Sequence, residues 1–432
     1  MRVAVIGAGI VGLSCAHALL DEGHAVTLID PGAQEGRACE GNAGWIAHTD
    51  ILPLASAKAW RHVPRWLLDP LGPLAIRPAY LPRLAPWLAR FLLASTPAAV
   101  AASAAAIRAI NAEALPAWRR RLAGLGLSDH LRERGALSVW RSPAAFAASR
   151  PMLARQRALG IPVDELDGAG VRALEPALGA AVAAGALYPT VSHVSDPALL
   201  VRALADRARD RGAASVAARA RAVEPTRTGA DVLLDDGRRV AAERVVIAAG
   251  AWSRALAASV GDRVPLDTER GYNVTLAPGT LGLTRPIAYE GEGFVTTPLE
   301  TGDRVGGAVE FGGLDAPANH ARTDAILARL RRFLPDLPSA SEGRRWMGFR
   351  PSLPDSLPVI GPSRASPHVV HAFGHAHHGL TQAAVTAELV AALVAGRRPA
   401  IELAPYAAQR FGGRGRAAPL PAGQEGSLSR TA

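Results

Sequence analysis

The sequence predicts an α/β fold in two intertwined parts, one made of strand, turn and helix units and the other of an antiparallel sheet with a helical insert. Three observations carry this. A strand, a glycine turn and a helix open the chain and recur near its end; residues 264–311 alternate like antiparallel strands; and residues 50–125 place Ala, Leu, Trp and Arg at helical period. At 432 residues the chain exceeds one ordinary core.

In chain order, residues 2–30 give strand, glycine turn, helix and strand, and a loop follows to Thr49. The segments RHVPRWLLDPLGPL and LPRLAPWLARF carry prolines expected to break the insert into several helices. A helix over 197–211 precedes an extended run over 214–223. The DDG turn at 235–237 joins 232–234 to 239–241 as a hairpin. An apolar strand over 244–248 ends in Ala249-Gly250, and 321–333 is an amphipathic helix. Strand 369–373, turn 374–379 and helix 380–395 close the ordered part, and a Gly-, Arg-, Pro- and Ser-rich tail expected to be disordered follows Phe411. Residues 1–50, 151–263 and 343–411 are therefore assigned to the first domain, 51–150 and 264–342 to the second, and 412–432 to the tail.

The formal charge of +10 comes almost entirely from scattered Arg, with no basic cluster interleaved with aromatics, which argues against a nucleic-acid partner. Cys15 and Cys39 form no CxxC or metal-ligand spacing, so a reducing cytoplasm is expected. The chain opens on a β-like run and shows no charged region followed by an apolar one, which also fits the cytoplasm. The apolar tract over 84–107 is interrupted by Pro86, Arg90 and Pro97, which suits packed helices better than a membrane span and leaves peripheral membrane contact open.

VAVIGAGIVGLSCAHALL sets Gly7, Gly9 and Gly12 in GxGxxG spacing between a strand and a helix. Gly7 allows the tight turn, Gly9 lets a pyrophosphate approach, and Gly12 lets the helix pack on the strand. Ile10 and Val11 sit where the helix amino terminus offers unpaired N–H groups to phosphates. Strand 26–29 ends in Asp30, placed to accept hydrogen bonds from ribose hydroxyls. The pattern describes a Rossmann-like adenine-dinucleotide site and does not by itself separate NAD from FAD.

Three further stretches resolve that choice by resemblance. GNAGWI at 41–46, RVVIAAGAWS at 244–253 and FGHAHHGLTQA at 373–383 are similar to motifs of the D-amino-acid oxidase superfamily of flavoproteins, within it the bacterial D-amino-acid dehydrogenase branch. The resemblance spans residues 1 to about 411 and implies non-covalent FAD. It places Asn42, Ala43 and Gly44 along the flavin, Val216, Ala249, Gly250 and Trp252 at the dinucleotide, and Gly374, His378, Gly379, Leu380 and Thr381 facing the flavin ring. A helix beginning at Gly379-Leu380 would favour the negative charge that develops on the pyrimidine end. His48 and Cys39 lie near the cofactor loop, but no motif for a covalent flavin link surrounds them.

In MGFRPSLPDSLPVIG, Arg350 matches a Gly-x-Arg-Pro motif whose arginine, in amino-acid oxidases of the superfamily, pairs with the substrate carboxylate through two parallel hydrogen bonds. Tyr289 falls where relatives often place a tyrosine over the substrate, Tyr272 follows an Arg-Gly pair that also resembles the family, and Phe294 stands where some relatives carry a second tyrosine. His377 is expected to orient the ring or the substrate. The cluster of His375, His377 and His378 lacks a carboxylate or Cys at ligand spacing, so no metal is expected. The implied activity is FAD-dependent dehydrogenation of a D-amino acid by hydride transfer from Cα. No side-chain base is required if the amine binds neutral, and activity should then rise toward mildly alkaline pH. ILPLAS and GHAHHGLT are most similar to hydroxyproline-catabolic enzymes, which favours D-proline or 4-hydroxy-D-proline. The acceptor is expected to be a quinone or an electron-transfer protein before oxygen. The alternatives are an oxygen-using oxidase of glycine or sarcosine type, a non-catalytic flavin subunit of a larger complex, and a nicotinamide-dependent dehydrogenase.

Overall fold

The computed structural model of the protein describes residues 1–32, 35–55, 71–72, 74–338 and 342–412. The tail assigned to the residues after 412 and most of the RHVPRWLLDPLGPL stretch lie outside the described residues.

Short runs of β-branched and small apolar residues, buried on both faces, form a six-stranded sheet. Its order is Ala214–Val216, Ala25–Ile29, Arg2–Ile6, Arg244–Ile247, Val369–Phe373 and Val359–Pro362, all parallel except the last. Helices Ile10–Asp21, Pro197–Asp210 and Gly379–Val394 cover one face with Leu13, Leu19, Leu200 and Val390. A hairpin sheet of Ala220–Pro225, Ala230–Leu234 and Arg239–Ala242 covers the other, with helix Ser253–Ser259. Gly237 turns the hairpin at φ +84°, as the DDG signal predicts.

The second sheet runs in the order Arg344–Ser352, Asp267–Leu276, Gly302–Phe311, Phe294–Leu299, Ile287–Tyr289, Ala136–Trp140, Ala184–Tyr188 and Asp164–Asp167, with Leu74–Ile76 parallel to Gly302–Phe311. It thus draws strands from both sides of residue 150. Helix Ala321–Leu330 seals one face through Ile326, Leu327 and Leu330. A small sheet of Trp45–Ile46, Ser192–Val194 and Leu131–Arg132 anchors the 41–46 loop.

The prolines of the insert divide it less than the sequence predicts. Helix Leu81–Ala94 contains Pro86, helix Pro97–Gly124 contains Pro116, and the break between them falls at residues 95–96. Pro97 sits in the first turn, where a missing N–H costs nothing. Pro116 is carried by tertiary packing, since Leu115, Ala117 and Trp118 beside it are buried and the Trp118 indole donates to Leu380 O at 2.8 Å. Pro97–Gly124 is the one helix among the described residues long and apolar enough to cross a membrane, yet 44% of its apolar window is buried within the protein.

Three histidines are held neutral in the interior. Burial pushes His17 and His193 down to about 4 and His375 to about 3. His17 Nε2 lies 2.9 Å from Leu204 O, and His375 Nε2 lies 3.0 Å from Thr386 Oγ1. Because the unfolded chain protonates these rings near pH 6.5 and the folded chain does not, their contribution is complete above that pH and is lost progressively as pH falls from about 6.5 toward 4. We expect the urea midpoint to drop between pH 7.5 and 5, each ring contributing on the order of 1–2 kcal/mol. A His17→Gln variant should flatten part of that drop. Identical midpoints at the two pH values would contradict the assignment.

Candidate active site

The glycine turn shows two kinds of requirement. Gly7 adopts φ +106°, and a Cβ there would lie 2.5 Å from Ala248 O; one on Gly12 would lie 1.9 Å from Gly7 O. Both glycines are dictated by the protein's own packing. A Cβ on Gly9 would meet only Cys39 Sγ, at 3.6 Å, so the fold itself tolerates a side chain there. Gly9 faces a cavity of about 1060 Å³, into which a pyrophosphate would be placed by this turn. Gly250, at φ +55° with nothing within 4 Å of its Cβ direction, lines the same cavity, as do Ile10, Val11, Ala249 and Trp252.

Asp30 also lines it. One carboxylate oxygen accepts from Ala8 N at 2.7 Å and the other from Gly32 N at 2.9 Å, so the group is held in place and keeps lone pairs for a ribose. Arg37 stands beside it at 3.6 Å and donates to Ala8 O at 2.6 Å, locking the turn. Val216 O accepts from Asp30 N at 3.1 Å, while Val216 itself is not among the lining residues.

The 41–46 loop is self-supporting. The Asn42 amide donates to Cys39 O at 3.0 Å and accepts from Gly44 N at 2.8 Å. Buried Arg304 donates to Asn42 O at 2.8 Å, and Thr381 Oγ1 accepts from Ala47 N at 3.0 Å. Asn42 and Ala43 reach the cavity, whereas Gly44 and Thr381 hold the loop from behind. Gly374, Gly379 and Leu380 also line the cavity, so two helix amino termini, at Ile10 and at Gly379, meet it. His378 is not on the wall and pairs with Asp50 at 3.3 Å.

Arg350 and Glu269 are direct cross-strand partners and both line the cavity. The guanidinium lies across Gly271, where a Cβ would come within 2.3 Å of Nη2, and Nη1 donates to Ala308 O at 3.2 Å. Ala308 takes φ +57° close to a register shift between Arg270 and Tyr272, a backbone arrangement that turns its carbonyl toward Arg350. Burial draws Arg350 below the ordinary arginine range, and the Glu269 charge opposes this. Glu269 is itself buried, which would raise its carboxyl, but His377, Ser352 and Arg350 together hold it below the usual carboxylate range. Ser352 Oγ donates to one carboxylate oxygen at 2.5 Å, and His377 Nε2 lies 2.6 Å from the other.

The two tyrosines reach the cavity with their hydroxyls already engaged. Tyr272 donates to Glu310 at 2.5 Å and accepts from Asn319 N at 3.2 Å. The Tyr289 hydroxyl lies 3.2 Å from Thr296 Oγ1, and its ring stacks on Phe294 with centroids 4.7 Å apart. These rings shape the wall, and beside Arg350 stand Glu269 and His377. Sequence reasoning missed Arg37 and Glu269. A lone Arg in an Arg-rich chain carries no signal, and Glu269 is recognisable only once strand register sets it opposite Arg350.

An elongated wall with glycines open to it, a ribose-ready carboxylate and two helix amino termini fits a flavin dinucleotide without rearrangement. Comparison with known proteins agrees. A family model described as DAO, FAD dependent oxidoreductase, matches residues 2–393. The chain is 39% identical over 417 residues to a D-amino-acid oxidase of Bradyrhizobium diazoefficiens, covering 95% of this chain and 99% of that one. It is 33% identical over 447 residues to D-amino acid dehydrogenase 2 of Ralstonia nicotianae, covering 95% and 100%. Among solved structures, glycine oxidase from Geobacillus kaustophilus superposes with a TM-score of 0.72 at 25% identity, over 95% of this chain and 100% of that one.

Proposed function

This chain belongs to the DAO family of FAD-dependent oxidoreductases, and we propose that it dehydrogenates a D-amino acid, D-proline or 4-hydroxy-D-proline in preference to others. The observation that carries this is Arg350, a guanidinium set on the cavity wall with one N–H committed to Ala308 O and Glu269 beside it. A planar fork so placed suits a carboxylate. Two relatives of 39% and 33% identity named for D-amino acids support the D series. The close aromatic wall of Tyr289 and Phe294, backed by buried Phe333, supports a compact ring as the side chain.

FAD, when bound, supplies the electron sink for the pair that leaves Cα. Arg350 fixes the carboxylate, the aromatic wall excludes water, and the helix beginning at Gly379 directs its amino terminus into the cavity, favouring negative charge there. Release of the imino acid and passage of its two electrons to an external acceptor would complete the turnover.

For the acceptor we favour a quinone reached at a membrane surface. Helix Leu81–Ala94 contributes Leu81, Trp87, Leu88 and Phe91 to the cavity and exposes Leu92 and Leu93, 51% and 71% accessible, beside Arg83 and Arg90. An apolar, cationic helix next to the site suits peripheral contact with anionic lipid. The test is turnover of D-proline, 4-hydroxy-D-proline, D-alanine and glycine with a soluble quinone or in air. The proposal expects the highest kcat/KM for the cyclic substrates and little peroxide. Stoichiometric peroxide in air assigns an oxidase, and a preference for glycine overturns the substrate choice.

A further inference from the structure

Buried Glu269 and part-exposed His377 form a carboxylate–imidazole pair on the cavity wall, on the side of Arg350. Glu269 is 2% exposed, and both of its oxygens are engaged, by Ser352 Oγ at 2.5 Å and by His377 Nε2 at 2.6 Å. Facing an ionised carboxylate, Nε2 must carry the hydrogen and donate it. Nδ1 then bears the lone pair. It has no protein partner among the described residues, and the His377 side chain is 34% exposed. A histidine whose far nitrogen is tied to a buried anion, and whose near nitrogen is left on a cavity wall, is arranged as a base.

The chemistry of the proposed reaction calls for one. An amino acid enters mostly as the ammonium form, which has no nitrogen lone pair to assist loss of the Cα–H pair. Resting on the function proposed above, we propose that His377 is a catalytic base that removes the ammonium proton of the substrate, and that Glu269 is the residue that positions it. An N–H bond of the ammonium breaks and an Nδ1–H bond forms, leaving a neutral amine and an imidazolium that faces Glu269. The proton departs to water through the exposed part of the ring, and the neutral amine left behind is the form from which FAD, when bound, would accept the Cα hydrogen together with its electron pair. The other charged or titratable groups around the turn are Arg350 from strand Arg344–Ser352, which balances Glu269, then His375, held neutral by burial, and His378, paired with Asp50.

The dyad makes a prediction that a packing role does not. The holoenzyme is reduced anaerobically with D-proline from pH 6 to 10, comparing wild type, His377→Asn and Glu269→Gln, with each variant's FAD content read from its visible spectrum. Both variants should lose about 100-fold in second-order rate at pH 7. The loss should shrink to about threefold near pH 10, where amino-acid ammonium groups deprotonate without help. A loss of the same size at every pH, or no loss at pH 7, overturns the dyad while the wild type still bleaches. Should Glu269→Gln fail to retain FAD, His377→Asn decides alone, since its ring is partly exposed. A wild type bleached by no D-amino acid overturns the function and the dyad together.

Discussion

Arg350→Lys is expected to raise KM for the amino acid by about 10- to 150-fold, the loss of about 1.5–3 kcal/mol when one charge-assisted hydrogen bond of a bidentate pair is removed. An ammonium on a flexible stem presents no fork, so the substrate is also held less firmly and kcat should fall with KM. FAD should remain bound with an unchanged spectrum, because Arg350 belongs neither to the glycine turn nor to the Asp30 contacts that would hold the dinucleotide. Glu269 would still be held by Ser352 and His377, so the variant should fold. Steady-state kinetics beside a flavin spectrum checks this. Normal turnover in the variant would remove Arg350 from carboxylate recognition.

The glycine turn offers the other large effect, since two of its glycines should fail in different ways. Gly12→Val drives a side chain into Gly7 O, where even a Cβ would sit at 1.9 Å. The cost should exceed about 3 kcal/mol and appear as poor folding whether or not FAD is present. Gly9→Val meets no close protein atom, since its Cβ stays 3.6 Å from Cys39 Sγ. That variant should fold to an apoprotein of near-normal melting temperature and bind FAD at least about 100-fold more weakly, a difference of about 3 kcal/mol in affinity. Flavin fluorescence titration and thermal melting separate the two. Tight FAD binding by Gly9→Val would place the pyrophosphate elsewhere.

Much of the dinucleotide half was legible from the chain because its signals are local. The GxGxxG spacing, the apolar strands before Asp30 and Gly250, and the turn before Gly379 each announce themselves within about a dozen residues, and all meet in one sheet. The DDG hairpin was legible for the same reason. The second sheet was less so. Ala136–Trp140 pairs in parallel with Ile287–Tyr289 across about 150 residues, and Asp164–Asp167 sits at its edge with mostly exposed side chains, so neither burial pattern nor turn chemistry reveals the partner. Pro116, inside a helix and flanked by buried Leu115 and Ala117, shows tertiary packing overriding a local rule. At the site, family resemblance pointed to Arg350 and His377 as candidates, but the residue that stands beside both, Glu269, was invisible. Glu269 stands in an unremarkable DTER run, and only the register that sets it opposite Arg350 and the turn that brings His377 to 2.6 Å give it a role. The Tyr272 hydroxyl illustrates the converse, since its committed partner, Glu310, lies 38 residues away on another strand, whereas Tyr289 and Thr296 face each other across one hairpin.

The central claim is that an FAD on this wall takes electrons from a D-amino acid held by Arg350. Its most direct test is anaerobic mixing of the purified yellow protein with D- and L-amino acids, both proline series included, while flavin absorbance is followed. The account predicts bleaching by D-proline or 4-hydroxy-D-proline at millimolar concentration and none by the L enantiomers. Persistent flavin absorbance with every D-amino acid, or bleaching by the L series alone, would contradict it.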